Sequence, residues 1–122
     1  MKWQFSNSAP IYAQLIEQIK MAIVSGEFPA GERLPSVREL AAETGVNPNT
    51  MQRAMAELER DGLVHSQRTA GRFVTEDGET IAAARRDLAR RHLEEFISAM
   101  TGLGYEKQEI ESLLRQELEK EA

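Results

Sequence analysis

The chain has 122 residues and no cysteine. That excludes a disulfide framework and a thiolate metal site. Aromatic residues make up 6% of the sequence. Its two histidines, His65 and His92, are isolated, and each fits a surface position or a satisfied contact. No phosphate-binding loop, no paired histidines with a carboxylate at ligand spacing and no nucleophile setting is present. Enzymatic chemistry, a cofactor and a metal are therefore not expected. No apolar run reaches membrane-spanning length, and the N-terminus lacks the charged-then-apolar pattern of a signal peptide. The expectation is a cytoplasmic protein with no membrane partner. This length accommodates one small domain and an appendage.

There is also no cationic excess. The formal net charge is −5, but it is unevenly placed. Residues 1–31 carry Lys2 and Lys20 against Glu17 and Glu27. Residues 32–75 carry six arginines against six acids. Residues 76–122 carry seven basic and twelve acidic groups, so the whole imbalance lies there. The middle segment is neutral and all its cations are Arg, the side chain suited to forked contacts with guanine or phosphate.

That segment holds the most specific pattern. Ser36 and Glu39 stand three apart before an apolar run, the spacing of a capping box. Val37, Leu40 and Ala41 then recur at helical spacing. Gly45 is the residue type that ends a helix in the left-handed conformation. Asn47 suits an N-cap and Pro48 a first helical position, since proline lacks the amide orphaned there. Met51, Ala54, Met55 and Leu58 give the second helix one buried face, and Gly62 stops it. Small Ala41, flexible Gly45 and apolar Met51 have the spacing of a helix-turn-helix.

On the other face of the second helix, Asn49 and Arg53 lie opposite Met51 and Leu58, with Thr50 and Gln52 on the flanks. Solvated faces usually carry Glu and Lys. Here the helix start carries short polar groups and one Arg, and Glu57 and Glu59 come only further along. Asn and Gln pair two-fold with adenine, and Arg with guanine. A recognition helix presents its N-terminal residues to base edges in this way. Leu63–Gln67 and Arg72–Thr75 read as two short strands, with Arg68-Thr69-Ala70-Gly71 turning between them. Arg68 and Arg72 make the tip cationic, suited to phosphate or a minor groove. The plain alternative for each piece is an ordinary helical hairpin and a solvent-exposed β-hairpin.

These residues resemble the GntR family of bacterial transcription regulators. The resemblance lies in Pro10-Ile11-Tyr12-x-Gln14, in Gly31-x-Arg33-Leu34-Pro35-Ser36-x-Arg38-Glu39-Leu40-Ala41, in Gly45-Val46-Asn47-Pro48-Asn49-Thr50 and in Leu58-Glu59-Arg60-Asp61-Gly62-Leu63. It covers residues 10–75, and the Val-Asn-Pro-Asn-Thr form with a short helical tail looks most like the YtrA subfamily. The resemblance implies DNA contacts from Arg38, from Asn47, Asn49, Thr50 and Gln52, and from Gly71. Two departures stand out. Pro48 and Gln52 replace arginines common in the family, and Thr69-Ala70-Gly71-Arg72-Phe73-Val74 replaces the usual Gly-x-Gly-Thr-Phe-Val wing. Subfamily members often control transporter operons, and the resemblance extends that expectation to this chain.

Residues 10–25 read as a first helix, with Tyr12, Leu15, Ile16, Ile19 and Ile23 inside and Gly26 at its end. A short edge strand is expected near Arg33-Leu34, and Trp3 and Phe5 should pack on the domain or on a second subunit. The expected fold is mainly α with a small β-wing: a winged helix-turn-helix domain over residues 1–76, then a two-helix tail over 77–122. The tail helices, 79–101 and 106–120, carry Ile81, Ala84, Leu88, Leu93, Phe96, Ile97 and Met100, then Ile110, Leu113, Leu114 and Leu118. Two such helices close no core alone. A dimer interface built from Leu88, Leu93, Phe96, Ile97, Met100, Ile110, Leu113 and Leu114 is expected, and the rival is packing on the same chain's winged helix. Arg85, Arg86, Arg90 and Arg91 read as a solvated face paired with Asp87, Glu94 and Glu95. The sequence thus predicts a homodimeric DNA-binding regulator, a repressor on an imperfect inverted repeat. The alternative is a winged helix used only to bind protein. A small-molecule effector would have the dimer interface as its place, and the sequence names none.

Overall fold

The computed structural model describes residues 1–121. The elements are α1 (Ile11–Val24), α2 (Val37–Thr44), α3 (Pro48–Arg60), β1 (Val64–Gln67), β2 (Gly71–Val74), α4 (Gly78–Gly102) and α5 (Lys107–Glu121). By internal contacts the chain divides into two units, Met1–Arg86 and the residues from Asp87 onward, so the division falls inside α4. Among the described residues, no helix is long and apolar enough to cross a membrane.

The first unit is built around α3, which packs against α1, α2 and β1. Its apolar positions point one way because they recur with the helical period. Met51, Ala54, Met55 and Leu58 are all buried. They meet Leu15 and Ile19 of α1, Leu40 of α2, and Leu63, Val64 and Val74 of the wing in one cluster. Each Val, Leu, Ile or Met side chain among them contributes roughly 1.5–3 kcal/mol by leaving water. The start of α4 belongs to this unit as well: Ile81 and Ala84 pack against the same cluster. They therefore add to the winged-helix core, although the sequence placed them on the tail's stripe.

The wing is an antiparallel pair with Val64 opposite Val74, His65 opposite Phe73, Ser66 opposite Arg72 and Gln67 opposite Gly71. The edge segment read near Arg33-Leu34 joins it as a single bridge, Arg33 to Phe73. Backbone hydrogen bonds from Leu34 N to Arg72 O (2.8 Å), Val74 N to Glu32 O (2.9 Å) and Gly31 N to Val74 O (3.0 Å) complete this third edge.

The N-terminal arm lies along α1. Trp3 stacks on Phe5, with centroids 6.4 Å apart, and both pack against the core. Gln14 and Gln18 stand one turn apart and read the arm's backbone. The Gln18 amide donates to Gln4 O (2.6 Å) and its carbonyl accepts from Gln4 N (3.1 Å). The Gln14 amide donates to Ser6 O (2.8 Å) and Ala9 O (2.7 Å), and its carbonyl accepts from Ser6 N (2.9 Å).

In the second unit, the turn between α4 and α5 is closed by Gly104, and Glu106 N donates to Glu109 Oε1 at 3.0 Å to open α5. Leu88 and Ile110 are buried within the chain itself. Leu93, Ile97, Leu103, Leu114 and Leu118 are exposed. Phe96, Met100 and Leu113 are half-buried. The arginine run on α4 is solvated as read, with Arg90 paired to Asp87 at 3.6 Å.

Candidate nucleic-acid interface

The angle between α2 and α3 is set by a chain of short polar contacts. At the start of α2, Ser36 Oγ accepts from Glu39 N (3.1 Å), and Glu39 Oε1 accepts from Ser36 N (3.1 Å). This reciprocal pair leaves two fewer orphan amides at the helix start. It also holds the Glu39 carboxyl below its ordinary value, the Ser36 backbone amide first and its hydroxyl second. At the other end Gly45 takes φ 75°, the left-handed region where a side chain is strained. Thr44 Oγ1 donates to Leu40 O (2.8 Å) and accepts from Val46 N (3.2 Å), fixing the exit of the turn. Asn47 Oδ1 then caps α3 by accepting from Asn49 N at 2.8 Å, with Pro48 at the first position.

This geometry leaves the opening of α3 facing solvent. Asn47, Asn49, Gln52 and Arg53 are exposed, Thr50 is half-buried, and Arg38 is exposed on α2. Arg53 does not stand free: its guanidinium carbon lies 4.6 Å from the centroid of the Tyr12 ring. This cation–π contact leans it toward α1 and limits its rotamers. Tyr12 thus joins the site. The sequence placed it on the inner face of α1 and carried no signal of that pairing.

The wing differs most from the sequence reading. Arg68 is exposed at the tip, where Thr69 takes φ 62° and Ala70 N donates to Gln67 O at 3.1 Å. Arg72 is turned the other way. Its Nε donates to Glu59 Oε1 of α3 at 3.0 Å, and the Ser66 hydroxyl donates to the same oxygen. Arg72 is thereby occupied in tying β2 to the end of α3. The reading of a cationic tip flanked by Arg68 and Arg72 did not include this contact, because it depends on the strand register and on where α3 ends. The Ser66 hydroxyl holds the Glu59 carboxyl below its ordinary 4.5, Arg72 adds to this, and burial opposes both.

The sign of the resulting pH effect follows. A carboxyl whose pKa is lower in the folded state contributes stability above its unfolded value and loses it as pH falls through the folded one. Glu59→Gln should therefore cost stability at neutral pH, and the cost should shrink below pH 4.5. Urea midpoints of both proteins at the two pH values measure this. An equal cost at both would mean that Glu59 holds no folded-state charge interaction.

Among the described residues, Arg33, Arg38, Arg53 and Arg68 form no ion pair, whereas Arg60 is paired with Glu57 and Arg72 with Glu59. These four arginines thus lie on the edge segment that bridges to the wing, at the start of α2, in the first turns of α3 and at the wing tip.

Residues 11–74 match the family described as "Bacterial regulatory proteins, gntR family". The chain belongs to the GntR family. A Bacillus subtilis relative, the HTH-type transcriptional regulator YhcF, is 44% identical over 107 residues, covering 88% of each chain. The HTH-type transcriptional repressor YtrA of the same organism is 32% identical over 111 residues, 90% of this chain and 85% of its own. A solved GntR family regulator from Listeria monocytogenes superposes with a TM-score of 0.83 at 42% identity, over 92% of this chain and 98% of that one. GntR regulators act by binding DNA, and the names of these relatives put this chain in a non-enzymatic class of function.

Proposed function

We propose that this GntR chain is a repressor that acts in the cytoplasm as a homodimer on an imperfect inverted repeat of double-stranded DNA. The first turns of α3 enter the major groove of each half-site, and Arg38 and the wing meet the flanking backbone. One observation carries this reading. The acids of α3, Glu57 and Glu59, are both engaged at its C-terminal end by Arg60, Ser66 and Arg72. Its N-terminal end exposes Pro48, Asn49, Gln52 and Arg53 beside the Asn47 cap and carries no acid. A face of that composition has donors for base edges and no charge that repels phosphate. The likeness to a relative named a repressor supports the sign of regulation, and its YtrA kinship supports a transporter operon as the target.

The domain is neutral, so sequence-independent attraction to phosphate is weak. Base contacts and two-fold symmetry supply the affinity. The exposed side chains of the second unit, Leu93, Ile97 and Leu114, with half-buried Phe96, Met100 and Leu113, are the proposed interface. A small-molecule effector, where one acts, would bind between the two copies.

Selection from random duplex DNA at physiological salt, with the mass of the complex measured in parallel, tests the whole reading. An enriched inverted repeat bound by two chains is expected. A well-folded dimer that enriches no sequence, alone or with candidate metabolites, would instead indicate a winged helix used to bind protein. On the enriched operator, Asn49→Ala or Arg53→Ala should each weaken binding by about 1–3 kcal/mol. Titration of labelled operator measures this, and unchanged binding by both variants would sink the recognition-helix assignment.

A further inference from the structure

The strand register divides the wing side chains between two faces. Val64, Ser66, Arg72 and Val74 share one face, since residues opposite one another and two apart along a strand point the same way. That face looks toward α3: Val64 and Val74 are buried, and Ser66 and Arg72 meet Glu59. His65, Gln67, Gly71 and Phe73 share the opposite face, where His65 stacks on Phe73 with centroids 6.0 Å apart. Arg33 bridges to Phe73 and so belongs to this outward face.

Arg33 is exposed, and among the described residues it ends on no carboxylate. Glu39, which it influences electrostatically, already accepts the Ser36 amide. The Arg33 side chain runs along the outward face to Gly71. A Cβ on Gly71 would stand 2.9 Å from Arg33 Nε, and Gly71 has φ +105°. Glycine at 71 thus leaves the lane that the guanidinium occupies. An exposed arginine held beside the backbone in this way is preorganised for a forked contact to a phosphate.

We propose that Arg33, and not Arg72, is the arginine that, with Arg68, contacts the operator's phosphates from the wing. Arg72 is a positioning residue that sets the wing's pitch against α3 through Glu59. The edge segment before the capping box is thereby part of the DNA-binding surface. This rests on the proposed DNA-binding function.

The test uses the full chain and its selected operator across a salt series. Each phosphate neutralised contributes about 0.9 to the slope of log affinity against log salt. Arg33→Gln should lower the slope by about that amount for each copy bound, with base preferences unchanged. Arg33→Lys, which keeps the charge, should retain most of the slope. Arg72→Gln and Glu59→Gln should keep the slope, and their effects on affinity should not add when combined. Arg33→Gln with an unchanged slope, or Arg72→Gln with a lowered one, overturns the assignment. Arg33 is exposed, so its variants should melt as the parent does. A wild-type chain that enriches no duplex would defeat the functional reading instead, before any variant is compared.

Discussion

Leu58→Ala should destabilise the first unit by about 2–5 kcal/mol, the usual range for deleting a fully buried leucine side chain. Leu58 is 0% exposed and belongs to the cluster that joins α1, α2, α3 and the wing. Its carbonyl also accepts from Leu63 N at 3.0 Å, at the exit from α3 into the wing. The cavity would therefore open where these elements meet and none can collapse alone. Small domains hold only about 5–15 kcal/mol in total, so the loss is a large fraction. The urea midpoint should fall with the slope m unchanged. Leu103→Ala is the control: Leu103 is 74% exposed, and its loss should stay within about 0.5 kcal/mol. Equal effects of the two substitutions would mean that the buried cluster does not hold the unit together. Operator binding by Leu58→Ala should fall with the folded fraction and return on mild cooling, unlike that of Asn49→Ala.

The parts of this unit that could be read from sequence are those whose cause is local. The Ser36–Glu39 box, the Gly45 stop, the Asn47 cap and Pro48 at the first position of α3 each need only the residues within one turn, and all form as read. The buried face of α3 was legible because Met51, Ala54, Met55 and Leu58 share a period. Contacts between elements were not legible. Arg72 meets Glu59 across thirteen residues of chain, Arg53 meets Tyr12 across two helices, and Arg33 joins a wing some forty residues later. Each depends on strand register or helix packing, which composition does not encode. The two wing arginines illustrate this. Two arginines flanking a turn look alike in sequence, yet Arg68 sits at the exposed tip and Arg72 sits one strand residue in, on the inward side of the pleat.

The tail raises the same issue for apolar residues. A helical stripe indicates burial without saying against what. Leu88 and Ile110 are covered within the chain, at 5% and 7% exposure. Ile81 and Ala84 cover the winged-helix core. The remaining stripe of the second unit is shorter, running through Leu93 and Ile97 on α4 and Leu114 and Leu118 on α5, each pair one turn apart. These side chains are 39–58% exposed, although they are large and apolar. In a region that carries the chain's acidic excess, these exposed leucine and isoleucine side chains at helical spacing are what the proposed homodimer would cover.

Ile97→Glu with Leu114→Glu should accordingly convert the proposed homodimer to a monomer and cost operator affinity on the order of 10²–10⁴-fold. The chemistry of each half-site is untouched, since the substitutions lie outside the winged helix. What is lost is the linkage between two sites. With one recognition helix bound, a dimer holds the second close to its half-site at high effective concentration, and a monomer must bind it from solution. Two new carboxylates facing two more across a symmetric interface repel and bury charge, so the dimer should fail even at high protein concentration. Both positions are exposed at 49% and 39%, so the fold of the chain should survive, as circular dichroism and the melting of the first unit would register. Sedimentation and titration of one- and two-half-site duplexes separate the terms. The variant should bind a single half-site as the parent does and gain nothing from the second. A variant that sediments as a dimer would mean the interface lies elsewhere on the chain. A monomer that binds the full operator as tightly as the parent would mean that base contacts from one winged helix supply the affinity unaided.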